Sequence, residues 1–316
     1  MLCTAFVFLL FIVGSFIVFG KDEQASVKDY EQMYASEIYR EPLQTERLCI
    51  AVDDVPYEAF DATDQLHAAA LFQLDEKNVL YAENIHDRIY PASTTKILTA
   101  YVALKYGNLN DIVEVSRMAT SVPADSSKAG LQPGDQMTLK DALYGLMLPS
   151  GNDSAVAIAE HISGSLDEFM VLMNREAQAL GATQTHFTTP HGYQDANHYT
   201  TAYDLYLIFN ECIQNPDFLE IVSTAEYTTD IKQADGTLRN TTWKQSNQFV
   251  NGLQEVPEGL QVYGGKTGTT SEAGACLILY FEDREANPYV AIMMGASNRP
   301  VLYENMTNLI ETVAKS

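Results

Sequence analysis

One serine and one lysine in this sequence have a spacing that suits nucleophilic catalysis. Ser93 and Lys96 form an S-x-x-K motif at the start of a segment with helical periodicity. Residues three apart share one face of a helix, so a deprotonated Lys96 amine would accept the Ser93 proton and make that oxygen a nucleophile. A helix start adds backbone N–H groups and a partial positive charge nearby. Taken alone, the motif more often marks a helix-capping serine and a surface lysine.

Two further motifs could complete such a site. Ser150-Gly151-Asn152 follows Leu148-Pro149, where proline and glycine predict a turn between two helices. Lys266-Thr267-Gly268-Thr269 follows a pair of glycines that would let another backbone come close, and a lysine with two hydroxyls suits a carboxylate. Alone, the second motif is at least as consistent with a helix cap, and the third could be a turn. All three occur once, in the order S-x-x-K, S-x-N, K-T-G, and together they are far more specific.

Hydrophobic periodicity predicts the elements that hold these motifs. The pattern indicates a hairpin over 66–74 and 79–82, helices over 94–105, 139–147, 154–162 and 166–180, strands over 260–264, 275–281 and 289–295, and a closing helix over 302–314. Strands at both ends of a helical middle predict an α/β fold whose first and last segments share one antiparallel sheet.

Charge and composition exclude several classes of protein. The formal net charge is -23 and the pI about 4.4, which argues against nucleic acid as a partner. The four cysteines show no C-x-x-C spacing, and His186, His191 and His198 do not have the spacing of a helical zinc pair. We therefore assign no metal and no cofactor.

The amino terminus predicts export. Residues 1–20 hold no charged side chain and, as a helix, would span about 30 Å, the thickness of a bilayer core. The long run without a basic start favours a retained membrane anchor over a cleaved signal, which stays the alternative. Residues 21–64 carry twelve acidic and four basic residues and predict a tether. Residues 65–316 form the predicted globular domain.

Five stretches together resemble one family, the low-molecular-mass penicillin-binding proteins that act as serine D-Ala-D-Ala carboxypeptidases. They are PASTTK at 91–96, AGL with PGD within 129–135, LPSGND at 148–153, PHG at 190–192 and GKTGT at 265–269. The resemblance runs from about residue 66 to the end. It implies a β-lactamase/transpeptidase-like fold, with a five-stranded antiparallel sheet flanked by helices and an all-helical subdomain.

The resemblance also implies a reaction and roles for the motif residues. Ser93 would attack the carbonyl of the penultimate D-Ala of a peptidoglycan stem pentapeptide, with Lys96 as general base. Ser150 would pass the proton to the leaving amine while Asn152 holds Lys96 and the substrate amide. The oxyanion hole would use the N–H groups of Ser93 and Thr269. The predicted site for the terminal carboxylate is formed by Lys266, Thr267, Gly268 and Thr269, and β-lactam antibiotics would acylate the serine.

Arg299 is a further candidate for binding the carboxylate. It follows the predicted strand over 289–295, which we expect to neighbour the Lys266 strand, so a second cation would lie near the carboxylate. An ordinary surface arginine is the alternative. The sequence ends directly after the closing helix, where the family usually carries a further membrane attachment. We therefore expect residues 1–20 to attach the protein to the extracytoplasmic face of a bacterial membrane.

Three other functions compete with carboxypeptidase activity. A D,D-endopeptidase would cleave a similar bond in the peptidoglycan cross-link, and sequence separates the two poorly. A class A β-lactamase needs a glutamate that activates water, but the corresponding stretch, 183–198, contains Asp195 and no glutamate. A catalytically silent penicillin-sensing domain would predict a damaged motif, and all three motifs are intact.

Overall fold

Strands open and close the described chain, and helices fill most of its middle. The structure is a computed structural model that describes residues 48–315. Its strands are β1 Ala68–Gln73, β2 Asn78–Glu83, β3 Ile112–Glu114, β4 Gln136–Thr138, β5 Glu226–Lys232, β6 Leu238–Lys244, β7 Gln261–Thr270, β8 Gly274–Glu282 and β9 Pro288–Ala296. Its helices are α1 Lys96–Tyr106, α2 Leu139–Met147, α3 Asn152–Ser163, α4 Leu166–Ala179, α5 Ala202–Cys212, α6 Pro216–Ser223 and α7 Arg299–Ala314.

The main sheet joins both ends of this unit. Five antiparallel strands lie in the order β2-β1-β9-β8-β7, which confirms the predicted hairpin and the predicted shared sheet. Successive side chains of a strand point to opposite faces, and helices cover both. On one face, Leu71 packs in a cluster with Leu277 and Met306 of α7. On the other face, Phe72 stacks on Tyr206 of α5 with ring centroids 3.9 Å apart.

Local sequence signals set the starts of several helices. Thr138 caps α2 in a capping box with Asp141, because the Thr138 hydroxyl accepts from Asp141 N while the Asp141 carboxylate accepts from Thr138 N. Ser165 and Thr201 cap α4 and α5 through their hydroxyls alone, which accept from Glu168 N and Asp204 N. Helices α1 to α4 and α7 were predicted from the sequence, whereas α5 and α6 were not.

A second, smaller sheet accompanies the helices. Its four antiparallel strands lie in the order β3-β4-β5-β6, and the sequence analysis did not predict it. Strands β3 and β4 have three residues each. In the hairpin of β5 and β6, only Ile231 and Trp243 are fully buried. The Trp243 indole donates to the backbone of Ala129, which connects this hairpin to the loop between β3 and β4.

The compact unit begins earlier than the predicted boundary at residue 65. Contacts group residues 49–316 into one unit, and Cys49 and Phe60 are buried in it. Val55 pairs with Ala82 of β2 through both backbone hydrogen bonds. The predicted anchor, 1–20, and most of the predicted tether, up to residue 47, lie outside the described residues. Among residues 48–315, no helix is long and apolar enough to cross a membrane.

Candidate active site

Ser93 lies in a tight turn at the amino end of α1. The turn over Ala92–Thr95 is a 3-10 turn, so the α-helix starts at Lys96 and not at residue 94 as expected. Ala92 has φ of 48°, which is uncommon for a residue with a side chain. The Thr95 hydroxyl donates to Ala92 O at 2.8 Å and thereby closes the turn. This local geometry fixes the backbone on both sides of Ser93.

Lys96 is completely buried beside the serine. Its Nζ lies 2.9 Å from Ser93 Oγ, 2.7 Å from Asn152 Oδ1 and 2.9 Å from His191 O. Burial holds the pKa of Lys96 well below its usual range, and the positive charge of Lys266 lowers it further, although Asp153 opposes this. The first two predicted motifs therefore meet at one amine.

The third motif reaches the second through another buried lysine. Lys266 Nζ donates to Ser150 Oγ at 3.0 Å and to Thr267 O at 2.9 Å. Burial lowers the pKa of Lys266 to about 7, with a contribution from the charge of Arg299. Ser150 itself is buried and has φ of 63°, so its hydroxyl is presented from a strained turn before α3.

Strand β7 lies directly against the turn that holds Ser93. A Cβ on Gly268 would lie 3.0 Å from both Ser93 N and Pro91 O, so a side chain there would push the two backbones slightly apart. Thr267 is buried, and its hydroxyl lies 2.8 Å from Ser246 Oγ. Thr269 is exposed at the same edge.

A cavity of about 400 Å³ opens over this edge, and Ser93 lines it. Asn152 and Thr269 line it as well, so all three motifs contribute a residue to its wall. Its other lining residues come from three loops and are Asp125, Ser126, Ser127, His191, Gly192, Tyr193, Gln194, Thr270, Ser271 and Glu272. The cavity is open to solvent, and its size suits the end of a peptide.

Arg299 is placed differently from the expectation. Strand β9 does not neighbour β7, because β8 lies between them. Arg299 is the first residue of α7 and is exposed, yet its charge still contributes to the lowered pKa of Lys266. The prediction of adjacent strands is therefore wrong, and a role of Arg299 in binding the carboxylate stays a prediction.

A buried carboxylate that the sequence analysis did not select holds the loop beside the site. Asp153, in the first turn of α3, accepts hydrogen bonds from the backbone N–H groups of residues 129, 130 and 131 at 2.8, 2.9 and 3.0 Å. Asn152 N donates to Ser127 O at 2.9 Å in the same region. Both segments belong to stretches that resemble the family, and this resemblance was the sequence signal that could have marked them. No sequence signal indicated that the two segments contact each other.

His191 and His198 support the site through neutral contacts. His191 supplies the backbone oxygen that accepts from Lys96, and burial lowers the pKa of its ring to about 3. His198 is also buried with a pKa of about 3, and its Nε2 lies 2.8 Å from Thr95 Oγ1. Thr95 gives its only proton to Ala92 O, so His198 Nε2 is the donor. Across residues 48–315, no group of three His, Cys, Asp or Glu side chains could hold a metal ion.

Comparisons with known proteins agree with this geometry. A family model described as D-alanyl-D-alanine carboxypeptidase matches residues 59–298. D-alanyl-D-alanine carboxypeptidase DacF of Bacillus subtilis is 33% identical over 247 residues, covering 77% of this chain and 61% of that protein. D-alanyl-D-alanine carboxypeptidase DacA of Haemophilus influenzae is 33% identical over 255 residues, covering 78% and 61%. The chain thus spans about three fifths of the length of these two relatives.

Solved structures show the same fold. The crystal structure of the Streptomyces K15 DD-transpeptidase matches with a TM-score of 0.73 and 28% identity, covering 81% of this chain and 98% of that chain. The D-alanyl-D-alanine carboxypeptidase from Mycobacterium tuberculosis H37Rv matches with a TM-score of 0.69 and 28% identity, covering 82% and 93%. These matches confirm the predicted transpeptidase-like fold. This chain belongs to the D-alanyl-D-alanine carboxypeptidase family of serine peptidases.

Proposed function

We propose that this protein is a serine-type D-Ala-D-Ala carboxypeptidase that removes the terminal D-alanine from peptidoglycan stem pentapeptides. The observation that carries the proposal is the buried Lys96 amine, 2.9 Å from Ser93 Oγ at the wall of an open cavity. A nucleophile and its base within hydrogen-bond reach are the signature of covalent acyl transfer. Penicillin presents a similar acyl group and would acylate the same serine.

The hydrogen bonds of Lys96 favour the reactive arrangement. A neutral amine has two N–H groups and one lone pair. Asn152 Oδ1 and His191 O are carbonyl oxygens that can only accept, so they take both N–H groups. The lone pair is then left for the third neighbour, the Ser93 hydroxyl. Because burial favours the neutral amine, this arrangement makes Lys96 ready to accept the serine proton.

The reaction follows from these contacts. Ser93 Oγ attacks the carbonyl carbon of the penultimate D-Ala as its proton passes to Lys96 Nζ. The resulting oxyanion is stabilised by the N–H groups of Ser93 and Thr269, where β7 approaches the nucleophile turn. Ser150, which accepts from Lys266, then gives its proton to the leaving amine as the C–N bond breaks and receives the proton that Lys96 took from Ser93, so Lys96 is again neutral when water attacks. Water finally hydrolyses the acyl-enzyme.

The terminal carboxylate would bind along β7. The Thr267 and Thr269 hydroxyls donate to it, and the charges of Lys266 and Arg299 attract it. Gly268 lets the strand come close enough to Ser93 for the carboxylate and the scissile bond to be held together.

We further propose that the enzyme works on the extracytoplasmic face of a bacterial membrane. The support is the uncharged run of residues 1–20, which would act as a single-pass anchor. A cleaved signal would instead release the enzyme from the membrane, and sequencing the mature amino terminus distinguishes the two.

The test measures D-alanine release from a pentapeptide ending in D-Ala-D-Ala, together with penicillin labelling followed by mass spectrometry. The full chain is compared with Ser93→Ala and with Ser223→Ala, which changes an exposed serine of α6. We expect release and a labelled Ser93 peptide in the full chain and in Ser223→Ala, and neither in Ser93→Ala. Equal labelling of Ser93→Ala would refute the assignment. Labelling with no D-alanine release would favour cleavage of cross-linked peptides instead.

A further inference from the structure

Ser246 connects two of the three motifs although it belongs to neither. It follows β6 in the chain and is half-buried. Its Oγ lies 2.8 Å from Thr267 Oγ1 of β7. Its backbone N donates at 3.0 Å to Leu148 O, two residues before Ser150. Ser246 therefore contacts both the strand of the third motif and the loop of the second.

The backbone around Ser246 is firmly held. Gln245 is buried, and its Oε1 accepts from Ser246 N at 2.9 Å. The Gln245 side-chain amide donates to Val222 O at 3.1 Å, and Gln245 N donates to Ala225 O at 2.8 Å. These bonds attach the segment to the end of α6 and the start of β5. The position of the Ser246 hydroxyl is consequently set by the fold and not by the substrate.

Proton counting assigns a direction to the bond between the two hydroxyls. A hydroxyl has one proton to donate. If Thr267 donates its proton to the substrate carboxylate, Thr267 Oγ1 can only accept from Ser246. The chain then runs from Ser246 to Thr267 to the carboxylate, and each hydrogen bond in such a chain strengthens the next.

We propose that Ser246 is a positioning residue for the carboxylate site. It donates its proton to Thr267 Oγ1 and thereby keeps the Thr267 proton directed at the terminal carboxylate of the substrate. This inference rests on the proposed function, since it requires Thr267 to bind that carboxylate.

The test uses two ester substrates with the same acyl group, Nα,Nε-diacetyl-L-lysyl-D-alanine. The glycolate ester has a terminal carboxylate, and the methyl ester has none. Ser246→Ala and Ser246→Thr are compared with the full-length parent chain. The matched control is Thr242→Ala. The hydroxyls of Thr242 and Thr228 are also 2.8 Å apart, on exposed faces of β5 and β6, and this substitution removes their hydrogen bond.

We expect Ser246→Ala to lower kcat/KM for the glycolate ester by about threefold to tenfold, the range for one neutral hydrogen bond. The methyl ester should be hydrolysed as by the parent, Ser246→Thr should restore the glycolate rate, and Thr242→Ala should change neither. An equal loss of kcat/KM with both esters would mean that Ser246 has only a structural role. No loss with either ester would show that Ser246 does not position Thr267. A parent chain that hydrolyses neither ester would overturn the proposed function, and this inference with it.

Discussion

Lys266 Nζ lies 3.0 Å from Ser150 Oγ, and this contact joins β7 to the turn before α3. The charge of Lys266 also lowers the pKa of Lys96, so one buried lysine influences the other across the site. Burial and the charge of Lys266 hold the pKa of Lys96 well below its usual range, which favours its neutral form, whereas Lys266, with a pKa of about 7, is partly charged near neutral pH. Two lysines can thus serve different purposes, Lys96 as a base and Lys266 as a cation.

The first prediction concerns the pH dependence of acylation. Lys96 must lose its proton to act as a base, so kcat/KM should rise with pH well below 10.4, the unperturbed value for lysine. Lys266 attracts the carboxylate only while charged, so kcat/KM should fall again above about pH 7. A bound carboxylate stabilises the charged form of Lys266, so the falling limb of kcat should lie at higher pH. Stopped-flow kinetics of wild type and Lys266→Gln from pH 5 to 10 would measure both.

Lys266→Gln serves as the control for that falling limb. It should be slower at all pH values and should show no fall near pH 7, because glutamine does not titrate. A wild-type profile that is flat throughout would argue against a titrating lysine base.

The second prediction concerns Arg299. Its positive charge is one cause of the low pKa of Lys266, so Arg299→Gln should raise that pKa and move the falling limb of kcat/KM to higher pH. Loss of a charged partner for the carboxylate should also lower kcat/KM by about tenfold. Arg299→Lys keeps the charge, so its kcat/KM should fall at the same pH as that of the wild type. If the kcat/KM of Arg299→Gln also falls at the wild-type pH, Arg299 is too far from Lys266 to change its pKa.

The parts of this fold that the sequence predicted are those with a clear periodicity or a turn signal. The helices α1 to α4 have apolar residues three and four apart and end near Gly107, Gly151, Gly164 and Gly181. Helix α5 has a comparable spacing and a capping threonine, Thr201, so its signal was present in the sequence but was not selected. Strands β3 and β4 are too short to show a period, and β5 and β6 are rich in exposed threonine. Strand order is not encoded in periodicity, which explains the wrong placement of β9 beside β7.

The candidate site was predictable where side-chain type carries the chemistry. Ser93, Lys96, Asn152 and Lys266 were selected by their motifs, and the structure brings them together. The contribution of His191 was not predictable, because it is a backbone oxygen that any residue could supply. Contacts such as that between Ser246 and Thr267 depend on tertiary packing and leave no trace in local sequence.

The third prediction concerns the loop that Asp153 holds. Asp153→Asn replaces one acceptor oxygen with a donor that would face backbone N–H groups. We therefore expect the free energy of unfolding to fall by about 2–4 kcal/mol. Asp167→Asn is the matched control, because Asp167 occupies the first turn of α4 but is exposed. Its effect should stay below about 1 kcal/mol. Urea unfolding monitored by Trp243 fluorescence would measure both, and equal effects would contradict the anchoring role.

The fourth prediction separates backbone strain from crowding at the nucleophile turn. Gly192 and Gly164 have nearly the same backbone angle, with φ of 80° and 78°, in the region that disfavours side chains. A Cβ on Gly192 would lie 1.8 Å from Ala92 O, whereas a Cβ on Gly164 meets nothing within 4 Å. Both alanine variants should therefore lose about 1–2 kcal/mol of stability from strain, and only Gly192→Ala should lose more.

The consequence for activity follows from the position of Ala92 directly before Ser93. Relieving the clash in Gly192→Ala requires the nucleophile turn to shift, and a displacement of about 1 Å can slow a reaction by about a hundredfold. We expect penicillin acylation of Gly192→Ala to fall to about that extent while Gly164→Ala reacts at the parent rate. Acylation kinetics at a temperature where both variants remain folded would decide. If Gly192→Ala reacts normally, the close contact between these two loops does not position Ser93.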